Sequence, residues 1–102
     1  MFWTSDITFE WDEGKAAANI KKHGVSFDEA VSVFDDPYAR VIPDPEHSID
    51  EERFVILGNS LSAELLTVCH CYRENNGSIR IISAREATKR EASTYWRFRH
   101  EN

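Results

Sequence analysis

The sequence contains few of the features that mark secreted or membrane proteins. Its 102 residues include only two cysteines, four glycines and three prolines. No apolar run approaches the roughly 20 residues that a membrane-spanning helix needs, and the N-terminal residues lack the basic start and apolar stretch of a secretory signal. We therefore expect a soluble, cytoplasmic protein that does not associate with a membrane.

Common catalytic and metal-binding motifs are also missing. The chain has no glycine-rich phosphate loop, no dinucleotide fingerprint and no nucleophile elbow. Cys69 and Cys71 lie two residues apart, where a mutual disulfide is not expected, and no CxxC or HxxxH pair accompanies them. We therefore expect reduced thiols and no metal site.

The apolar content is sufficient for one core. Hydrophobic residues make up 41% of the sequence and aromatic residues 12%, a composition that is inconsistent with a disordered tail. A chain of this length has room for one domain, which buries about two-thirds of its unfolded surface. The expected organisation is therefore a single domain over residues 1–102.

Charge is distributed unevenly along the chain. The formal net charge is −6, which by itself argues against a polyanionic ligand. Residues 1–72, however, carry 14 acidic and 5 basic residues, whereas residues 73–102 carry 4 acidic and 7 basic ones. The C-terminal third can therefore form a local basic surface, and scattered solvated charge is the alternative.

Capping residues and periodicity predict three helices. Glu13–His23 is rich in alanine and lysine and is followed by Gly24, which commonly ends a helix. Ser26 to Glu29 has the pattern of a capping box. From Phe27 onward the apolar residues recur at i, i+3, i+4 and i+7 until the helix stop at residues 35–37. The third helix is predicted over residues 86–100.

Five segments rich in β-branched and aromatic residues are predicted to be strands. An Asn-Gly pair at residues 76–77 predicts a hairpin turn between the last two, and a polar, proline-bearing loop is expected at residues 43–50. The order of the elements predicts an α+β fold, an antiparallel meander sheet with two N-terminal helices and a C-terminal helix on one of its sides. The predicted strands are residues 7–11, 38–42, 53–58, 64–72 and 78–84.

The register of the last hairpin decides which side chains share a face. A two-residue turn places His70 with Ser83 and Arg85, and places Arg73 and Arg80 on the other face. A three-residue loop groups Arg80 with His70 instead. The sequence leaves both registers open.

One histidine and several cations are the candidate functional residues. His70 stands in an apolar strand, where it is either a hydrogen-bonded core residue or a general acid or base. The donor fork of arginine suits phosphate oxygens and the charge on a pentacoordinate phosphorus. Ion pairing with nearby carboxylates is the alternative for each arginine. The candidate arginines are Arg53, Arg80 and Arg85, and further cations lie at helix ends: Lys21, Lys22, His23, Lys89 and Arg90.

Several segments agree in residues and spacing with a known family. They include KHGVSF at residues 22–27, the Val-Cys-His at residues 68–70 and RIISAR at residues 80–85. Over roughly residues 7–95 the chain resembles the BrnT family of toxins. The resemblance implies a RelE-like fold and the toxin of a type II toxin-antitoxin system. It further implies a metal-independent endoribonuclease without a cofactor, which cleaves RNA to inhibit translation and growth.

The resemblance also implies a partner. This is a BrnA-like antitoxin with a ribbon-helix-helix part, which neutralises the toxin, forms a heterotetramer with it and supplies the only contact with operator DNA. As a hypothesis, an RNA 2′-hydroxyl attacks the adjacent phosphorus, His70 moves a proton, and Arg53, Arg80 and Arg85 stabilise the phosphorane. The helix-end cations then bind the RNA backbone. A degenerate homologue that binds only the antitoxin or nucleic acid, as a co-repressor, is the alternative.

Overall fold

The fold was obtained as a computed structural model, which describes residues 7–44, 51–73 and 77–101. It has the predicted α+β class. Most of the loop expected at 43–50 and the asparagine of the expected turn at 76–77 lie outside the described residues. The elements in chain order are β1 (Thr8–Glu10), α1 (Glu13–His23), α2 (Phe27–Ser32) with a 3-10 turn (Val33–Asp35), β2 (Arg40–Pro43), β3 (Phe54–Asn59), β4 (Leu65–Arg73), β5 (Ser78–Glu86) and α3 (Lys89–Glu101).

The five strands form one mixed sheet in the order β1-β5-β4-β3-β2. Strands β2 to β5 form the predicted antiparallel meander. Strand β1, however, pairs in parallel with β5, with Thr8 opposite Ser78. The prediction of an antiparallel sheet is therefore wrong at this edge. Parallel strands need a long connection, so no local turn signal in the sequence indicates this pairing.

The ends of the helices follow local capping chemistry. Asp12 accepts a hydrogen bond from the Lys15 amide at 2.9 Å, and Gly24 ends α1 with φ 72°, a left-handed conformation that favours glycine. Helix α3 begins at Lys89, three residues later than predicted, because β5 continues to Glu86. None of the helices in the described ranges is long and apolar enough to span a membrane.

The core lies between one face of the sheet and the two N-terminal helices, and we call this the inner face. The strand residues of the core are at most 7% exposed, and the burial of their apolar surface stabilises the fold. Asn19 links α1 to the sheet through two hydrogen bonds with the backbone of Ala84. Its side chain accepts one from the Ala84 amide at 3.2 Å and donates one to the Ala84 carbonyl at 2.8 Å. The core residues are Val25, Phe27, Ala30, Val33, Ile56, Leu66, Val68, Ile79, Ile81 and Ala84.

Helix α3 lies against the opposite, outer face of the sheet. Arg90 and Thr94 of α3 line one groove together with Val55 and Thr67, whose side chains alternate with those of the core. Helices therefore cover both faces, and the prediction that all three lie on one side is wrong. The few apolar residues of α3 do not reveal which face it covers.

A fully buried tyrosine anchors α3. The hydroxyl of Tyr95 donates a hydrogen bond to Asp36 at 2.5 Å, and Asp36 also accepts one from the amide of Asn59 at 2.8 Å. These donors lower the pKa of Asp36 against the opposing effect of burial, which is the largest single influence. Tyr95 therefore links α3 to the turn after α2 and to the end of β3.

A bulge in β5 determines which side chains point to the outer face. The register passes from Cys69 opposite Ser83 to His70 opposite Ile81, so Ile82 is an extra residue in β5. In a regular strand, residues 80 and 85 point to opposite faces because they are an odd number apart. The bulge brings both to the outer face, an arrangement that neither sequence-based register contains.

Candidate functional site

His70 lies on the inner face, under the helices. Its side chain is 0% exposed, and its ring packs edge-on against Phe34 with centroids 4.9 Å apart. Nε2 is 3.2 Å from the Tyr72 hydroxyl, and Nδ1 is 3.3 Å from the Val68 carbonyl. Burial lowers the pKa of His70. The ring has the surroundings of a hydrogen-bonded core histidine, and the sheet separates it from the candidate arginines.

The three candidate arginines lie on the outer face. Arg53 and Arg85 line a cavity of about 210 Å³, which we call the basic cavity, together with Asp44 and Cys69. Arg80 lies further along β5, opposite Cys71. The structure thus brings Arg53 and Arg85 together and places Arg80 on the same face, towards the hairpin end of the sheet.

Arg85 is held by a bidentate ion pair with Glu91. Its two terminal nitrogens donate to the two carboxylate oxygens at 2.9 and 3.0 Å. The Thr67 hydroxyl and the Thr88 amide also donate to Glu91, at 3.0 and 2.9 Å. Led by Arg85, these donors lower the pKa of Glu91 to about 2. Glu91 therefore joins α3, β4 and β5 and fixes the Arg85 side chain beside the cavity.

Glu91 also takes part in the N-terminal cap of α3. The Thr88 hydroxyl accepts a hydrogen bond from the Glu91 amide at 3.1 Å, and the Glu91 carboxylate accepts one from the Thr88 amide. This reciprocal pair is a capping box. In α2 the box predicted at Ser26 and Glu29 is only half formed, because the Glu29 carboxylate accepts a hydrogen bond from the Ser60 hydroxyl at 2.6 Å instead.

Arg53 lies next to acidic residues, as its sequence position indicates. Its Nε is 3.9 Å from the Glu51 carboxylate, and its backbone carbonyl accepts a hydrogen bond from the Asp44 amide at 2.8 Å. The distance to Glu51 is long for an ion pair, and both side chains are partly exposed, so this contact contributes little to stability. Asp44 lines the same cavity as Arg53.

The two cysteines also lie on the outer face of the sheet. Both are free thiols, as predicted, and burial raises the pKa of each. Cys69 lines the basic cavity and Cys71 is 1% exposed. Within the described ranges, no group of three or more metal-ligating side chains is close enough to hold a metal ion.

The cations at the helix ends occupy two regions. Lys21, Lys22 and His23 form the last turn of α1. Because Asn19 bonds Ala84, this turn lies beside the C-terminal part of β5. Lys89 and Arg90 form the first turn of α3 and are exposed.

A groove adjoins the basic cavity on the outer face. Its volume is about 310 Å³, and we call it the apolar groove. Val55 and Thr67 line both the groove and the cavity, so the two form one continuous depression. No local pattern in the sequence indicates the groove, because the groove forms only when α3 packs on the outer face. Its lining residues are Arg40, Ile42, Val55, Leu57, Thr67, Arg90, Glu91 and Thr94.

Comparison with known proteins supports a family assignment. The family model described as "Ribonuclease toxin, BrnT, of type II toxin-antitoxin system" matches residues 11–91, which include all the candidate site residues. The chain belongs to the BrnT family. The resemblance inferred from the sequence is therefore confirmed, and with it membership in a family of ribonuclease toxins whose systems include an antitoxin.

A solved structure is similar to this BrnT-family chain. It is the crystal structure of the ribonuclease toxin BrnT from Brucella abortus, with 24% sequence identity and a TM-score of 0.63. The alignment covers 81% of this chain and 99% of the Brucella chain. At this identity the likeness shows the shared BrnT fold. No curated protein matches the sequence.

Proposed function

We propose that the chain is a metal-independent endoribonuclease toxin whose active site is the basic cavity on the outer face. Family membership supports the class of activity. The observation that carries the location is the bulge at Ile82, which brings Arg80 and Arg85 to the same face as Arg53. Guanidinium groups bind phosphate oxygens through parallel hydrogen bonds, so this face suits an RNA backbone.

In the proposed reaction the RNA 2′-hydroxyl attacks the adjacent phosphorus. The bond to the 5′-oxygen breaks, which leaves a 2′,3′-cyclic phosphate and a 5′-hydroxyl. Arg53 and Arg80 stabilise the negative charge on the pentacoordinate phosphorus. The charge of Arg85 is balanced by Glu91, and its remaining N–H groups can donate to phosphate oxygens from the position that this ion pair fixes.

Proton transfer is assigned to a residue of the outer face. Asp44 lines the basic cavity, and its carboxylate can accept the proton of the 2′-hydroxyl, while the departing 5′-oxygen takes its proton from solvent water. His70 has no part in this mechanism because its ring is buried on the inner face. This assignment replaces the hypothesis that His70 moves the proton.

The helix-end cations extend the basic surface in this proposal. Lys89 and Arg90 begin α3 beside the apolar groove of the outer face, whereas the last turn of α1 lies on the inner-face side of the sheet, near the end of β5. These side chains contribute to RNA affinity through contacts with phosphates, which screening by salt weakens.

We infer that the antitoxin is BrnA-like and that its ribbon-helix-helix part binds the operator DNA. We also infer that toxin and antitoxin form a heterotetramer in the cytoplasm. Membership in a type II family implies an antitoxin. The basic outer face is complementary in charge to an acidic segment of such a partner. The proposed antitoxin neutralises the toxin by covering this face.

Inducible expression tests the proposed activity. We compare the wild type with an Arg53→Ala/Arg80→Ala variant and with a control that loses the same charge, Lys15→Ala/Arg97→Ala, at exposed positions outside the cavity. Arg85 is left intact because its pair with Glu91 stabilises the fold. Growth and the integrity of total RNA are followed together with the solubility of each protein.

The wild type and the control are expected to arrest growth and degrade RNA, and the Arg53/Arg80 variant to do neither. Purified wild type is expected to cleave RNA in the presence of EDTA, and RNA with 2′-O-methyl groups to resist cleavage. A soluble, folded wild type that neither arrests growth nor cleaves RNA would contradict the proposal. That result would favour the degenerate homologue that only binds a partner.

A further inference from the structure

We infer that the apolar groove is a nucleobase subsite, which receives a guanine-like base next to the cleaved phosphate. This inference rests on the proposed function, because it places the phosphate of the same RNA strand in the basic cavity. Val55 and Thr67 line both depressions. A nucleotide whose phosphate meets Arg53 or Arg85 therefore has its base within reach of the groove.

The floor of the groove suits the flat face of a base. Ile42, Val55 and Leu57 form it, and Ile42 is 54% exposed. A volume of about 310 Å³ lies at the lower end of the range for small-ligand sites. The apolar floor gives a base the contact that it loses when it unstacks from its neighbours.

The walls of the groove offer both donors and acceptors. Within the described part of the chain, the Arg90 guanidinium has no hydrogen-bond or ion-pair partner. The Thr67 hydroxyl donates its proton to Glu91 at 3.0 Å, and the Thr94 hydroxyl donates its proton to the Arg90 carbonyl at 3.1 Å. Both threonine oxygens can therefore only accept a hydrogen bond from a ligand.

This pattern matches guanine better than the other bases. Guanine presents two acceptors, N7 and O6, on the edge that arginine binds most often, and its adjoining Watson–Crick edge carries N–H donors for the threonine oxygens. Adenine places a donor beside N7 and so faces the Arg90 guanidinium less well. A second arginine, Arg40, stands at the rim with its guanidinium 4.4 Å from the centre of the Phe98 ring.

Base preference in cleavage tests the subsite. Short RNAs that differ in one base beside the scissile bond are cleaved by the full-length wild type, by Arg90→Ala, by the groove-filling Thr94→Phe and by the control Arg97→Ala. Arg97 is exposed on the same helix and is not part of the groove lining. The readout is the ratio of kcat/KM for the guanine RNA to that for each other RNA.

The wild type and Arg97→Ala are expected to prefer guanine by about tenfold or more, as one good bidentate contact provides. Arg90→Ala and Thr94→Phe are expected to reduce this ratio towards one. The Kd values for the same set of RNAs, made uncleavable by 2′-O-methyl groups, are compared in the same way. This comparison tests base binding separately from cleavage.

Equal use of all four bases by the wild type, or an unchanged ratio in the groove variants, would overturn the inference and leave the proposed cleavage intact. A wild type that does not cleave RNA but prefers guanine in binding would overturn the proposed function and retain the groove only as a base-binding site. Groove variants that keep the base ratio but no longer retain a co-expressed antitoxin would assign the groove to a protein partner and overturn the inference.

Discussion

Replacing Glu91 with glutamine tests the ion pair that fixes Arg85. Glutamine keeps the shape of the side chain and can still complete the capping box with Thr88, so the substitution removes mainly the charge that Arg85 binds. The pKa of Glu91 is lowered from 4.5 to about 2, which corresponds to at most about 3 kcal/mol. Because 30% of the Glu91 side chain and 40% of the Arg85 side chain are exposed, solvent screening reduces this to about 1–2 kcal/mol.

The sign of the pH dependence follows from the lowered pKa. The contribution of Glu91 is fully present above pH 4.5 and is lost as the pH falls through about 2, where the folded protein also binds the proton. Glu91→Gln is therefore expected to lower the free energy of unfolding by about 1–2 kcal/mol at pH 7. The difference from the wild type is expected to shrink towards zero near pH 2.

Urea unfolding followed by tryptophan fluorescence at several pH values measures this difference. The control is Glu86→Gln, which removes the same charge from an exposed residue at the end of β5 and is expected to change the free energy of unfolding by less than about 0.5 kcal/mol. A difference for Glu91→Gln that stays constant from pH 7 to pH 2.5 would refute the role of the charged pair.

Three further substitutions test other parts of the account. His70→Ala is expected to lower the free energy of unfolding by about 2–4 kcal/mol, while the folded fraction cleaves RNA at the wild-type rate; loss of cleavage in a folded variant would restore a catalytic role. Asp44→Asn is expected to lower kcat about a hundredfold without weakening RNA binding, and an unchanged kcat would remove Asp44 from the mechanism. Tyr95→Phe is expected to cost about 1.5–3 kcal/mol in urea unfolding because Asp36 loses a hydrogen bond, and a neutral effect would show that another contact anchors α3.

Local features of the sequence predicted the elements well. Asp12, Gly24 and Ser26 act at helix ends as their chemistry indicates, and the strand segments reappear with shifts of a few residues. Such signals depend on neighbours in the chain. The parallel pairing of β1 with β5 and the position of α3 on the outer face depend on contacts between distant residues, which no local pattern contains.

The candidate site was predictable in its residue types and not in its geometry. The donor fork of arginine indicated Arg53, Arg80 and Arg85 as phosphate ligands. Whether His70 lies on the same face of the sheet as these arginines depends on the strand register. One extra residue in a strand moves the side chains that follow it to the other face. The bulge at Ile82 is such a residue, and it places Arg80 and Arg85 together on the face opposite His70.

The most direct test of the central claim is the cleavage of a short RNA by the purified wild type and by Arg53→Ala/Arg80→Ala, with the chemistry of the new 3′ end identified. We expect a 2′,3′-cyclic phosphate from the wild type and cleavage at least about a hundredfold slower from the variant, with an unchanged free energy of unfolding. Equal rates from the two folded proteins would contradict the claim that the outer face is the active site.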